Sequence, residues 1–275
     1  AVFREVQRTG GPPTLRFYGW NAPAVSIGYF QDAAAEINLA ACRERGVTLV
    51  RRPTGGRAVY HDDDLTYAVV APEANPLFPP DIAGTYAAIG RCLVRGLEKL
   101  GLAAVLASGE REDQDPGGGR HREAGTGGGR GTLMPAPACF SVPSRHELLV
   151  AGRKICGSAQ MRSRGAFLQQ GSLLMSFDPE KTAAVLRFRG ENQGQQLESL
   201  RRRATSVHEH LPHSVTRADF CRSLLAAFQE VWQVAFTVGG LRPEEERLSL
   251  HLMETKYGRD DWNLAGHRQQ KTAKE

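Results

Sequence analysis

Cysteine is sparse in this chain, aromatics are few, and no long apolar run is present. Five cysteines in 275 residues, an odd count without paired spacing, argue against a disulfide framework and fit a reducing compartment. No stretch approaches the roughly 20 apolar residues that cross a bilayer, and no signal peptide heads the chain. The expectation is a soluble, cytoplasmic protein with no membrane partner. Internal repeats are absent too. The basic residues behind a formal charge of +5 are scattered and match no nucleic-acid-binding motif, so the charge predicts acidic partners on encounter rather than nucleic acid. There is no initiator methionine, and Ala1 to Glu5 read as the tail of a helix rather than a natural start. At 41% hydrophobic composition the chain can bury a substantial core, as one large domain or two small ones.

What is present centres on the run Arg51-Arg52-Pro53-Thr54-Gly55-Gly56-Arg57-Ala58-Val59-Tyr60-His61-Asp62. Val47 to Val50 before it and Leu65 to Val70 after it read as strands. Gly55-Gly56 gives the turn access to positive φ and lets backbone N–H groups approach a ligand. Arg51, Arg52 and Arg57 bring fixed positive charge, and His61 a group that titrates near neutrality. Taken alone, the pattern is equally that of a glycine hairpin with solvated arginines.

Along the rest of the chain, Asp32 predicts a helix cap, with the helix running to about Arg45 and ended by Gly46. Asp81 predicts a longer core-facing helix carrying Ile82, Tyr86, Ile89, Leu93, Leu97 and Leu100, stopped by Gly101. Residues 108–137, rich in Gly and Arg, read as a flexible loop. His146 to Val150 and Lys154 to Arg162 predict a hairpin about Ala151-Gly152, followed by a strand from Ala166. From about 205 to 262 the pattern is helical, with Thr216 and Asp219 as a capping box and Pro243 opening the last helix. Cys42, Cys92 and Cys221 fall on helices as core residues. His208, His210 and His213 have a loose metal-like spacing but lack a fourth ligand pattern, and read as surface.

Several motifs in order carry a family resemblance. The Arg51 to Gly56 run resembles the RRxTGG motif of the biotin and lipoate protein ligase superfamily. Leu15-Arg16-Phe17-Tyr18-Gly19-Trp20 followed by Val25-Ser26-Ile27-Gly28-Tyr29-Phe30-Gln31 is similar to the family's opening strand pair. Gly152-Arg153-Lys154-Ile155-Cys156-Gly157-Ser158-Ala159-Gln160 resembles its lysine motif, and Gln170-Gly171-Ser172-Leu173-Leu174 the strand after it. Lys256-Tyr257 and Asp261-Trp262-Asn263 resemble its C-terminal end. Ala138-Cys139-Phe140, with Cys139 standing 15 residues before Lys154, resembles the cysteine segment of the protein octanoyltransferases.

The resemblance implies an α+β fold: a mixed, largely antiparallel sheet packed with helices, in one catalytic domain of the class II synthetase and biotin-ligase type. The family's usual N-terminal strand and helix are not evident, which suggests a truncated chain. It implies Cys139 as nucleophile and Lys154 as its partner, an ammonium that favours the thiolate and exchanges protons with it. Arg52, Gly55, Gly56, Arg57, His61, Gly157, Ser158 and Ala159 become substrate-binding candidates, with Val59, Tyr67 and Leu173 as walls for an acyl chain. Cys156, on the face of Lys154 by strand alternation, reads as space-filling.

The implied reaction moves octanoyl from octanoyl-acyl carrier protein to Cys139, and then to the lysine of a lipoyl domain, in glycine cleavage H protein or a 2-oxoacid dehydrogenase E2. Both partners are generally acidic. No cofactor or metal is needed. The alternatives are an ATP-dependent lipoate-protein ligase, which would use ATP and Mg2+, a lipoyl amidotransferase working through the same cysteine, and a non-catalytic carrier-binding protein.

Overall fold

The computed structural model describes residues 1–107, 147–188, 192–211 and 215–264. In chain order its elements are helix α1 (Val2–Thr9), strands β1 (Thr14–Tyr18) and β2 (Ala24–Ile27), short helices α2 (Ala33–Glu36) and α3 (Leu39–Glu44), strands β3 (Thr48–Arg51), β4 (Val59–His61) and β5 (Asp64–Pro72), helix α4 (Ile82–Lys99) and strand β6 (Ala104–Leu106). They continue with strands β7 (Leu148–Val150), β8 (Arg153–Ser163) and β9 (Ala166–Leu174), then helices α5 (Pro179–Val185), α6 (Gln193–Arg203), α7 (Val207–His210), α8 (Arg217–Trp232), α9 (Pro243–Leu252) and α10 (Asp260–Asn263), with a π-helical turn over Met253–Tyr257.

Two sheets result. One has six strands in the order β1-β5-β9-β8-β7-β6, all antiparallel. The other has three, β3-β2-β4, with β2 parallel to β3 and antiparallel to β4. This is the mixed, largely antiparallel α+β architecture that the motifs imply.

Strand alternation in β5 shows how the large sheet sorts its faces. Leu65, Tyr67, Val69 and Ala71 enter the main core, where they meet Ile89, Leu93 and Leu97 of α4 and Phe220, Leu224 and Phe228 of α8. Each of these large side chains contributes about 1.5–3 kcal/mol by leaving water. The opposite face is divided. Ala68 and Val70 lie beneath Val2 and Val6 of α1, whereas Asp64 and Thr66 are polar though buried, and it is over them that the functional cavity opens. In the small sheet, Val25 and Ile27 pack on Ile37, Cys42 and Val185, which leaves Ser26 on the face toward the cavity.

The helix caps read from sequence are in place. Asp32 accepts from Ala34 and Ala35 N–H, Asp81 from Gly84 N–H, and Thr216 with Asp219 forms a capping box. Ala151 and Gly152 have φ of 49° and 73° and close the β7 to β8 hairpin.

Four local expectations change. The helix expected from Asp32 to Arg45 is interrupted, because Ile37 is extended, fully buried and bridged to Leu186; Asn38 then caps α3 afresh. Ile82 is 56% exposed rather than facing the core. The opening strands β1 and β2 belong to different sheets, so they do not pair. Finally, Gly55-Gly56 does not join two paired strands: β3 and β4 flank β2 on either side, and the turn crosses over β2. Residues 108–137, His146, His213 and Cys139 lie outside the described residues.

Candidate active site

A cavity of about 470 Å³ opens between the two sheets, within the usual size of a small-molecule site. Of the candidates named from sequence, Arg52, Gly56, Arg57, His61, Lys154, Gly157, Ser158 and Ala159 all line it, as does Val59. Gly55 contributes from behind, its carbonyl accepting from Arg52. Tyr67 and Leu173 are not walls: both are fully buried in the main core. Tyr67 instead supports the wall, its hydroxyl lying 2.7 Å from Ser158 Oγ.

The glycine turn is held in shape by its own arginine. Arg52 donates to the carbonyls of Gly55, Arg57 and Ser26, so its guanidinium serves as a frame for the turn. Gly56 has φ of 88°, a conformation that favours glycine. Beneath it the β2 end approaches so closely that a Cβ on Gly28 would lie 2.0 Å from the Gly56 carbonyl oxygen.

Arg51 differs from its neighbour. Only 2% exposed, it donates to the carbonyls of Gly28, Tyr29 and Gln31 on one side and of Trp262 and Asn263 on the other. Its backbone N–H and carbonyl are taken by Asn263 Oδ1 and Trp262 Nε1. Its charge is therefore spent on fixing the C-terminal helix α10 and the 28–31 loop, and is not offered to a ligand.

Lys154 sits at the start of β8, 4% exposed, with its backbone carbonyl bonded to Thr205 N–H. Its ammonium is 2.5 Å from Glu147 Oε1, itself buried, and both side chains line the cavity. Glu147 was not singled out from sequence. Its signal was a lone acid leading into the apolar Leu148-Leu149-Val150, in a hairpin whose irregular register brings Leu149 opposite Lys154.

Three consecutive aspartates follow the glycine turn, and each has its own partner. Asp62 pairs with Lys181 and Asp63 with Arg217, while Asp64 turns inward, 1% exposed, to His61. His61 Nδ1 is 2.9 Å from Asp64 Oδ2 and its Nε2 is 2.8 Å from Ser26 Oγ. Ser172 and Thr66 also donate to Asp64 Oδ2. Trp20 stacks over the imidazole, ring centroids 4.1 Å apart, and its Nε1 donates to Thr66 Oγ1.

The thiol of Cys156 is buried in the main core, and burial pushes it up to about 12. It fills space, as read from sequence. Cys42 and Cys92 are buried on α3 and α4, and Cys221 lies on α8. His208 is near the Val215 carbonyl and His210 near Thr205 Oγ1. Among the described residues no group of three or more His, Cys, Asp or Glu side chains is placed to hold a metal ion, and no helix is long and apolar enough to cross a membrane.

This fold, with a glycine-turn cavity and a buried lysine on its wall, has a family behind it. The model of the lipoyl protein ligase A/B catalytic domain matches residues 1–229, and the chain belongs to that family. Among curated proteins it is similar to the octanoyltransferase LipM of Kyrpidia tusciae, 41% identical over 92% of this chain and 87% of that one. The LipM of Bacillus subtilis is 34% identical over 92% and 86%. Among solved structures, a lipoate-protein ligase A bound with ATP superposes with a TM-score of 0.73 at 28% identity, covering 95% of this chain and 91% of that one. The bipartite lipoate protein ligase of Thermoplasma acidophilum, studied with its E2 lipoyl domain, gives 0.73 at 26% identity over 96% and 88%.

Proposed function

We propose that this protein is an acyltransferase, an octanoyltransferase of protein lipoylation, working through two acyl transfers without ATP. Octanoyl passes from octanoyl-acyl carrier protein to the Cys139 sulfur, the carrier's thiol leaving, and then to the ε-amine of a lipoyl-domain lysine in glycine cleavage H protein or a 2-oxoacid dehydrogenase E2. The setting is the cytoplasm. One observation carries the reading most: similarity to LipM octanoyltransferases extends across nearly the whole chain. The buried, ion-paired Lys154 in the cavity is in keeping with it.

In this reading the Lys154 ammonium stabilises negative charge on sulfur, first as Cys139 thiolate and later as the sulfur that leaves. Glu147 holds that ammonium in place. Backbone N–H groups of the glycine turn and of the Gly157-Ser158-Ala159 stretch, residues that line the cavity, are the donors this reading assigns to each tetrahedral oxyanion. The remaining cavity wall around Val50 and Val59 receives the acyl chain.

The test is transfer from octanoyl-acyl carrier protein to a lipoyl domain with ATP omitted, followed by mass analysis of the acceptor. Octanoyl-lysine should form with the unchanged chain and fail to form with Cys139→Ala. Transfer that needs ATP and survives Cys139→Ala would make the protein a ligase instead.

A further inference from the structure

The second transfer needs a proton acceptor, because a lysine amine that attacks a thioester must shed an N–H proton to become an amide. Among the described residues, the titratable side chains lining the cavity are Tyr18, Arg52, Arg57, His61, Glu147 and Lys154. The two arginines keep their protons, and burial pushes the Tyr18 phenol up. Glu147 and Lys154 are engaged with each other. His61 is left.

Its surroundings fix its tautomer. Thr66 Oγ1 accepts from Trp20 and donates to Asp64 Oδ2, and Ser172 also donates to that oxygen. An ionised Asp64 only accepts, so His61 Nδ1 carries a proton toward it and Nε2 is the acceptor. Ser26 Oγ then donates to Nε2 across 2.8 Å while receiving Arg52 Nη1 at 3.2 Å. Both imidazole nitrogens are thus engaged, and the ring, itself on the cavity wall, meets the Ser26 hydroxyl through Nε2. The second oxygen of Asp64 is buried and has no hydrogen-bond partner among the described residues, which concentrates this carboxylate's contacts on the oxygen facing His61.

We propose that Ser26, His61 and Asp64 form the proton relay of the second acyl transfer. This rests on the acyl-enzyme reading above. Ser26 is the catalytic hydroxyl; His61 acts through it, and Asp64 is a positioning residue that fixes the tautomer and stabilises the imidazolium. As the unprotonated amine attacks the thioester carbonyl, an N–H proton passes to Ser26 Oγ and the serine's own proton passes to His61 Nε2. The C–N bond forms, the C–S bond breaks, and the proton returns through Ser26 to the departing sulfur. The products are an amide and a thiol, and no further reactant is consumed.

Hydroxylamine separates proton transfer from packing, since it is weakly basic and cleaves thioesters without a base. The octanoyl-enzyme is prepared, freed of carrier, and mixed with either a lipoyl domain or hydroxylamine. In His61→Gln, release to the lipoyl-domain lysine should slow about 100-fold, while release to hydroxylamine should keep its rate. Asp64→Asn should behave in the same way. Equal slowing of both releases, or unchanged transfer to lysine, overturns the relay. If His61→Gln does not fold, Ser26→Ala cuts the same route while keeping the imidazole and its bond to Asp64, and gives the deciding comparison. Absence of any octanoyl-enzyme in the unchanged chain would instead defeat the acyl-enzyme reading, and the relay with it.

Discussion

Arg51→Lys keeps the charge of the most completely enclosed cation in the described structure and removes its fork. The guanidinium serves two separate groups of carbonyls: Gly28, Tyr29 and Gln31 through Nη1, and Trp262 and Asn263 through Nε and Nη2. A lysine ends in a single nitrogen and can serve one of these groups only. At least two hydrogen bonds from a charged donor are lost, each worth about 1.5–3 kcal/mol, so the variant should be less stable by about 3–6 kcal/mol. That is a large share of the roughly 5–15 kcal/mol that holds a folded domain. Urea unfolding followed by tryptophan fluorescence reads it directly, because Trp262 packs against this residue. With a slope of about 3 kcal/mol per molar, the midpoint should fall by about 1–2 M. A loss below about 1 kcal/mol with an unchanged slope would refute the view that the arginine ties α10 to the 28–31 loop.

Other outcomes follow from the same geometry. Gly28→Ala places a methyl within van der Waals overlap of the Gly56 carbonyl, and should cost about 1–3 kcal/mol of stability with a matching loss of octanoyl transfer; full activity in a folded variant would show that the turn has room to yield. Lys154→Ala should slow iodoacetamide alkylation of Cys139 near neutral pH, measured by peptide mass, and an unchanged rate would remove the lysine's role in holding the thiolate. Burial raises the Cys156 and Cys92 thiols from the ordinary 9.0 to about 12. The folded state therefore keeps protons that the unfolded chain releases, and stability should be intact below pH 9 and fall above it, by about 1.4 kcal/mol per pH unit for each thiol. Cys156→Ala should flatten that slope by one thiol's share between pH 9 and 12, checked by denaturant titration across pH.

Much of this site is legible in the chain because its chemistry is local. The glycine turn, the arginines beside it and the lysine strand each carry a short signature, and eight of the nine catalytic and substrate-binding candidates among the described residues line one cavity. What escaped depends on pairings between distant strands. Nothing near Arg51 announces that its partners are Trp262 and Asn263, and the two arginines of the pair look alike until one is enclosed and the other frames the turn. Asp62, Asp63 and Asp64 are likewise indistinguishable in sequence; only the start of β5 turns Asp64 toward His61. Glu147 meets Lys154 through a register irregularity between β7 and β8, which no periodicity shows. The interruption at Ile37 has the same origin, since a bridge to Leu186 outweighs helical propensity.

The central claim is tested most directly by the mass of the intact protein after brief exposure to octanoyl-acyl carrier protein, with ATP and acceptor left out. A single octanoyl adduct should appear, be released by hydroxylamine, and map to Cys139. An unmodified chain, or an adduct that persists in Cys139→Ala, would contradict it.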